Sequence, residues 1–374
     1  MEQTRVVPIA TLQCFNVPGS LISVEELKRG HINRTYVGVW EHQGSRKRYV
    51  HQVVNHRIFQ DIEGLMRNLE IVTAAIGDSI QKRGNRGGET TLRIIPARNG
   101  SSYIRDEAGE FWRTFEYIEN TVAYDVCPGP EAAEQAAEIL GRFQRALLAV
   151  PASSLADTIP FFHHGGRRFS TFEEVLKRDS KKRATDAAQE VGFALQRKDL
   201  SSSLALALEG GLIPSRACHN DMKLNNVLFD SSGERAVCLL DLDTCMAGTP
   251  LFDFGDLVRN TAIPCAEDEQ DLSKVVVDME LYEAICRGYM REMGDSLTQR
   301  EFDLLPFSPR VLAFVLGVRF LTDYLDGDGY FRIHRPKHNL ERARTQFAVV
   351  EAMERSESRM SEVLRKLRGA SRAA

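Results

Sequence analysis

The stretch His219-Asn220-Asp221-Met222-Lys223-Leu224-Asn225-Asn226-Val227-Leu228-Phe229 places a carboxylate and, five residues later, an amide at the mouth of an apolar run that reads as a strand. Fifteen residues after Asn226 a second carboxylate, Asp241, stands in Leu239-Leu240-Asp241-Leu242-Asp243. Phosphoryl transfer from ATP uses such a set: H-x-D-x-x-x-x-N, a strand, and an acid at the end of the next strand. In that chemistry Asp221 orients the attacking hydroxyl and takes its proton. The amide oxygen of Asn226 reaches a metal ion from the same loop, and Asp241 bridges Mg²⁺ to the nucleotide phosphates. Asp243 is a candidate second metal ligand. His219 reads as a packed, hydrogen-bonded support of the loop rather than a proton carrier. Turn-forming at hairpin ends is the plain alternative for the Asp and Asn residues.

A competing match lies nearby. Asp253-Phe254-Gly255 spells the metal-binding triplet of protein kinases, but it falls 32 residues after Asp221, against 20 for Asp241. A hairpin that returns a carboxylate to the side of Asn226 has room only for the shorter span, so the metal is assigned to Asp241. Phe252 to Arg259 then reads as the entry of a helix. Asp256 is expected to brace the catalytic loop through backbone hydrogen bonds, with an N-cap as the alternative.

For the nucleotide, Gly30-His31-Ile32-Asn33 forms a turn ahead of a strand, where backbone N–H groups can cradle phosphates. The following strand presents Gln52 where a lysine is expected for the α- and β-phosphates. Glu70 either faces that strand from the next helix or is solvated. Glu116-Tyr117-Ile118 ends the strand-rich part at the place where adenine pairs with backbone groups.

The elements that would hold these residues are legible in outline. Thr35–Trp40 and Arg48–Val54 read as a hairpin around Gly44. Ile62, Leu65, Met66, Leu69, Val72, Ile76 and Ile80 recur at helical steps behind an Asp61 N-cap. Further strands are expected at Thr91–Ile95 and Phe111–Ile118. From Pro130 the pattern is mainly helical, with helices at Leu272–Glu292, Arg310–Leu325 and Leu340–Leu367 and one strand pair, Asn226–Asp230 and Ala236–Leu242. The expected class is α+β: a small antiparallel-sheet lobe with one helix over residues 1–118, which binds nucleotide, and a larger, mainly helical lobe over 119–374 for catalysis and substrate.

Composition narrows the function classes. With 374 residues, 43% apolar and 27% charged, the chain is neither disordered nor of unusual polarity, and a net charge of −4 argues against a nucleic-acid binder. The longest apolar stretch in the C-terminal part, Val311–Val318, is far shorter than the roughly 20 residues of a membrane span, and the first residues lack the apolar core of a signal peptide. Seven cysteines, an odd number without a C-x-x-C, suit a reducing, cytoplasmic setting and buried thiols rather than a disulfide framework. A monomer or weak dimer is expected.

These motifs, with Phe59-Gln60-Asp61, Leu65-Met66-Arg67-Asn68, Trp112-Arg113-Thr114-Phe115-Glu116 and Arg319-Phe320-Leu321-Thr322-Asp323-Tyr324-Leu325-Asp326-Gly327-Asp328 followed by Tyr330-Phe331, resemble the aminoglycoside phosphotransferase-like superfamily, and within it the N-acetylhexosamine 1-kinases. The resemblance implies a bilobal protein-kinase-like fold, with ATP and Mg²⁺. It implies transfer to the anomeric hydroxyl of GlcNAc or GalNAc, and sugar contacts at Asp221, Thr244, Arg319 and Tyr330. It also fits Gln at position 52. Two alternatives stay open: a kinase of this fold acting on another hydroxyl compound, such as an aminoglycoside, choline or another sugar, with Asp323, Asp326 and Asp328 forming an acidic pocket, and a nucleotide-binding pseudokinase. The segment Ile159–Phe169, with the adjacent His163 and His164, reads as a surface loop placed to close over the pocket.

Overall fold

Alternating apolar and polar residues from Arg34 to Val54 make a hairpin whose turn is Gln43-Gly44, both with positive φ (48° and 75°). That two-residue turn favours glycine, and it is tighter than the seven-residue link expected from the sequence. A computed structural model of the chain describes residues 8–27, 32–84 and 88–373, with side chains described as far as residue 369. Gly30 and His31 lie outside the described residues.

The N-terminal part contains α1 (Ile9–Leu12), β1 (Ser20–Leu27), β2 (Arg34–His42), β3 (Ser45–Val54), α2 (Ile62–Lys82), β4 (Ile104–Arg105) and β5 (Phe111–Glu116). The strands form an antiparallel sheet in the order β1-β2-β3-β5-β4. Period-two alternation sends Tyr49, Val53 and Trp112 to one face, into a small core with Leu12, Phe15, Tyr36 and Trp40. Val54 and Phe115 lie on the other face. There they join the apolar stripe of α2 in a core that runs on into the helical part. Asp61 caps α2 by accepting from the Gly64 N–H at 2.8 Å. Residues 91–95 are not a strand. They follow β5 irregularly, with one bridge between Ile94 and Phe115. β1 gives little sequence signal because most of its side chains are exposed.

The remaining elements are β6 (Thr121–Val122), α3 (Pro130–Ala146), α4 (Gly165–Arg178), α5 (Ala188–Gln196), α6 (Lys198–Glu209), β7 (Arg216–Cys218), β8 (Val227–Asp230), β9 (Ala236–Leu239), β10 (Met246–Gly248), α7 (Pro250–Thr261), α8 (Met279–Met293), α9 (Gln299–Leu304), α10 (Ser308–Asp326) and α11 (His338–Ala373). α3 packs on α8, and α10 packs on α4, α7 and α11. The start of α4 approaches α6 so closely that a Cβ on Gly165 would lie 1.9 Å from the Ser201 carbonyl oxygen. Only glycine fits there, so the segment expected to be a loop turns into a packed helix at Gly165. Strands β7 and β10 pair with each other, and β6, β8 and β9 form a small sheet. The catalytic loop runs between β7 and β8, and the Asp241 turn between β9 and β10. No described helix is long and apolar enough to cross a membrane.

Candidate active site

β7 ends at Cys218, and the chain enters the catalytic loop through Asn220, which adopts the left-handed region at φ 65°. Asparagine tolerates this conformation, but it still needs surrounding support. That support comes from a carboxylate on α7. Asp253 accepts the backbone N–H of His219 at 3.1 Å and of Asn220 at 2.7 Å, and the Gln144 amide at 2.8 Å. The loop brace is therefore Asp253, not Asp256. The two acids are three residues apart on α7, and it is the first that faces the loop, whereas Asp256 pairs with Arg259.

Side chains of the loop close the remaining bonds. His219 donates from Nε2 to the Leu240 carbonyl at 2.9 Å and accepts the Asp221 N–H at Nδ1, 3.3 Å away, a tautomer assigned from these bonds. Its ring contacts Phe143. The Asn220 amide reaches the carbonyls of Thr244 (3.1 Å) and Met246 (3.3 Å). Asn226 donates its Nδ2 to the Asp221 carbonyl at 2.9 Å, which leaves Oδ1 available to a cation. Thr244, expected to touch a sugar, is 5% exposed and donates its hydroxyl to the His219 carbonyl at 2.7 Å. Burial takes it out of reach of a substrate, and its role here is to hold the loop.

Asp221 forms an ion pair with Lys223 Nζ at 2.8 Å. Burial pushes the Asp221 carboxyl up, but Lys223, with His219 and Arg259, outweighs it and holds the group below its ordinary value. The residue is thus an anion at neutral pH. Asp241 behaves in the opposite way. It has left-handed backbone (φ 57°) and caps the single turn Leu242–Thr244. Its side chain opens to solvent at the cleft mouth but is closely flanked by protein. That crowding, then the charges of Asp243 and Asp221, push its carboxyl up to about 6. Among the described residues no three His, Cys, Asp or Glu are arranged to hold a metal ion by themselves. Asp241, Asn226 Oδ1 and nucleotide oxygens together make a hard-oxygen set of the kind Mg²⁺ takes, and a cation would relieve the crowding at Asp241.

Asp243 is committed elsewhere. Both of its oxygens accept from Arg113 of β5, at 2.7 and 2.8 Å, and one also accepts from Asn33 Nδ2 at 2.7 Å. Asp243, expected as a second metal ligand, is instead the ion-pair partner of Arg113, with a donor on each carboxylate oxygen. Arg113 also donates from Nε and Nη2 to Gln52 Oε1 at 3.0 and 2.8 Å, while Gln52 Nε2 donates to Thr35 Oγ1. Ile32 is exposed beside this network. Glu70 is solvated, and the polar residue that α2 turns inward is Asn68. It is bonded to the carbonyls of Ala156 and Cys245, just past the Asp241 turn. Glu116 ends β5, and Tyr117 and Ile118 follow it. Tyr117 lies under the Arg48 guanidinium at 3.9 Å, and Glu116 pairs with Arg93.

Near His163, which feels the charges of both Asp221 and Arg319, the partners thin out. His163 is not at the surface. Its Nε2 donates to the Asn220 carbonyl at 2.6 Å and its ring packs on Phe252 at 4.5 Å. Burial lowers its pKa, which keeps the ring neutral. His164 instead caps α4 by accepting the Arg167 N–H. Arg319 of α10 lies 5.9 Å from the Tyr330 ring and 5.3 Å from that of Phe331. Arg168 of α4 has its Nε buried without a hydrogen-bond partner, and burial together with Arg319 lowers its pKa. Among the described residues neither guanidinium has a carboxylate partner. Tyr330 is 67% exposed. Asp323 does not pair with Arg319. It accepts the Tyr330 and Phe331 N–H groups at 2.8 and 2.9 Å and the Asn339 amide. Asp326 pairs with Arg178 and Asp328 with Arg183, so the three acids form no free acidic pocket.

Of the residues in this site, Arg113, Lys223, His163, Arg168 and Asp253 were given no site role on sequence grounds. Lys223 had a local signal, two residues after Asp221, and Asp253 stood in a triplet that pointed to metal rather than to a loop brace. Residues 23–293 match the family described as "Phosphotransferase enzyme family". Among solved structures, the chain is similar to the aminoglycoside phosphotransferase of Alicyclobacillus acidocaldarius subsp. acidocaldarius DSM 446, at 13% identity and TM-score 0.60 over 98% of each chain. It is similar to a microcompartment-associated aminopropanol kinase at 18% identity and TM-score 0.60, covering 94% of this chain and 97% of that one. It also resembles the choline kinase of Cryptosporidium parvum Iowa II at 14% identity and TM-score 0.52, over 89% of each. These likenesses bear out the bilobal, kinase-like α+β fold.

Proposed function

The chain belongs to the phosphotransferase enzyme family, and we propose that it transfers the γ-phosphoryl group of ATP to the anomeric hydroxyl of an N-acetylhexosamine, GlcNAc or GalNAc. One observation carries the donor half. Asp221 is held as an anion by Lys223, and Asn226 Oδ1 and Asp241 face the same cleft without hydrogen-bond partners among the described residues. In this reading Asp221 orients the sugar O1 and accepts its proton late in the transfer. Lys223 keeps that carboxylate charged and has N–H bonds to spare for a phosphoryl oxygen. Asn226 and Asp241 would hold Mg²⁺, which when bound neutralises the phosphate charge. Asn33 and the backbone of Glu116–Ile118 would line the nucleotide on either side.

The acceptor half rests on the chemistry of the pocket and on the resemblance of Arg319–Phe331 to the N-acetylhexosamine kinases. Arg168 and Arg319 are donors without carboxylate partners, and Asp323, Asp326 and Asp328 are occupied. Such a pocket suits a neutral acceptor rich in oxygen lone pairs and disfavours a cationic one such as choline or an aminoglycoside. The test is a panel of free sugars, amino alcohols and aminoglycosides with ATP and Mg²⁺, read as ADP release. GlcNAc or GalNAc is expected to give the highest kcat/KM. Choline or an aminoglycoside turned over faster than either would contradict the acceptor reading and leave the donor reading intact. No ADP release with any acceptor would favour a nucleotide-binding protein without transfer.

A further inference from the structure

β3 carries Gln52 at the position from which a lysine would enter the cleft, yet a cation is present one strand away. Gln52 and Arg113 are directly opposed partners in the β3–β5 ladder. Opposed residues of an antiparallel pair project from the same face, so Arg113 enters the cleft from the side where the lysine is missing. It crosses to the helical part and grips both oxygens of Asp243, with Gln52 Oε1 taking two further N–H bonds at 3.0 and 2.8 Å. The two charged side chains are 3% and 2% exposed. Asn33 adds a third donor to Asp243 from just before β2, and its own Oδ1 accepts the Asn55 N–H.

A buried ion pair recovers little net stability after desolvation, so its presence between two parts of a cleft calls for another reason. The reason follows from the chain path. Asp243 belongs to the one-turn helix Leu242–Thr244, and Asp241 is the cap of that turn in a left-handed conformation that needs outside support. Fixing the Asp243 carboxylate therefore fixes the direction in which Asp241 points. We propose that Arg113 is the positioning cation of the metal-binding turn. From β5, acting through Asp243, it supplies the anchoring charge that β3 lacks, and Gln52 serves to orient its guanidinium. The inference rests on the reading that Asp241 holds the metal of a Mg²⁺·ATP complex.

The test uses the full chain and three variants: Arg113→Gln, Arg113→Lys and the swap Gln52→Lys with Arg113→Gln. Each is measured for kcat, for KM of ATP and acceptor, for the Mg²⁺ concentration giving half-maximal rate, and for Tm. Arg113→Gln should lower kcat on the order of a hundredfold and raise the half-saturating Mg²⁺ about tenfold, because an in-line transfer tolerates little misplacement. The acceptor KM should stay within about threefold. Arg113→Lys, which keeps the charge but loses the two-pronged grip, should fall between it and the wild type, and the swap should recover at least about fivefold of the lost rate. If Arg113→Gln is too unstable to assay, the Mg²⁺ shift of Arg113→Lys decides. Unchanged Mg²⁺ dependence in the folded variants, or a swap no more active than Arg113→Gln, would overturn the proposal. Calorimetric titration of the wild type with Mg²⁺·ADP separates the two readings, since absence of binding there would refute the nucleotide assignment itself.

Discussion

The two walls around Asp221 are built differently. On the proposed nucleotide side the polar groups other than Asn226 Oδ1 and the Asp241 carboxylate have partners inside the protein: Asp253 with two loop N–H groups, His219 with Leu240, Asn220 with Thr244 and Met246, Asp243 with Arg113 and Asn33. On the acceptor side Arg168 and Arg319 are left with aromatic faces and a buried unpartnered Nε, and Tyr330 is mostly exposed. The first wall is preorganised, which fits a step whose rate depends on geometry shared by all phosphoryl transfers. The second keeps its hydrogen-bonding capacity unspent, which suits the proposed role of telling one acceptor from another.

The sharpest break in this contrast is expected at Asp221. Asp221→Asn should cut kcat by about a thousandfold or more, leave Tm and Mg²⁺·ADP binding near wild type, and so separate chemistry from scaffold. Activity within a few-fold of wild type would remove Asp221 from the base role.

Next come the two acids that sequence motifs confuse. Asp253→Ala leaves buried N–H donors at His219, Asn220 and Gln144 without an acceptor. At about 1–3 kcal/mol for each unsatisfied group, a loss of several kcal/mol in stability is expected from denaturant unfolding. Asp241→Asn, which keeps a residue that tolerates the left-handed backbone, should instead leave stability unchanged or raised, since it removes a carboxyl pushed up by crowding and by its acidic neighbours, and should abolish most Mg²⁺-dependent transfer. The reverse pattern would move the metal to Asp253.

On the acceptor wall, Arg319→Ala and Tyr330→Phe should lower kcat/KM for the sugar roughly ten- to a hundredfold, as expected for about 1–3 kcal/mol of lost hydrogen bonding, with the KM for ATP unchanged. Stability should not fall, because Arg319 makes no ion pair and Arg168 is relieved of a like charge.

A further effect, on stability alone, concerns the sheet. His51, bonded to Thr114 and Trp40, has its pKa lowered to about 4 by burial. The unfolded chain binds a proton near pH 6.5 that the folded chain refuses until about pH 4. Stability from this residue is therefore complete above about 6.5 and declines by about 3 kcal/mol as pH falls to about 4. Unfolding midpoints measured between pH 7 and 4 should show this loss and a His51→Gln variant should lack its share.

How much of this was legible in the sequence follows the same division. The catalytic loop and the Asp241 turn are local in the chain, so spacing alone brought Asp221, Asn226 and Asp241 to one cleft. The helix α2 and the long C-terminal helices were readable from apolar periodicity. Arg113 was not, because an arginine within a strand says nothing until the register sets it opposite Gln52. Asp253 and Asp256 could not be told apart, as residues three apart on α7 differ only in which way the helix is turned. α4 was missed because its start depends on the approach of Gly165 to Ser201, a contact 36 residues away in sequence. The commitments of Thr244 and Asp323 were equally invisible, since each depends on which backbone group happens to lie within 3 Å.

In the proposed reaction the braced wall delivers a phosphoryl group to the anomeric oxygen of a sugar held by the open one. Phosphorus–proton correlated NMR of the product formed from GlcNAc, ATP and Mg²⁺ tests it most directly. Phosphorus coupled to the anomeric proton is the expected result. Phosphorus coupled to the protons at C6 would contradict the acceptor orientation, and with it the reading of Arg319 and Tyr330.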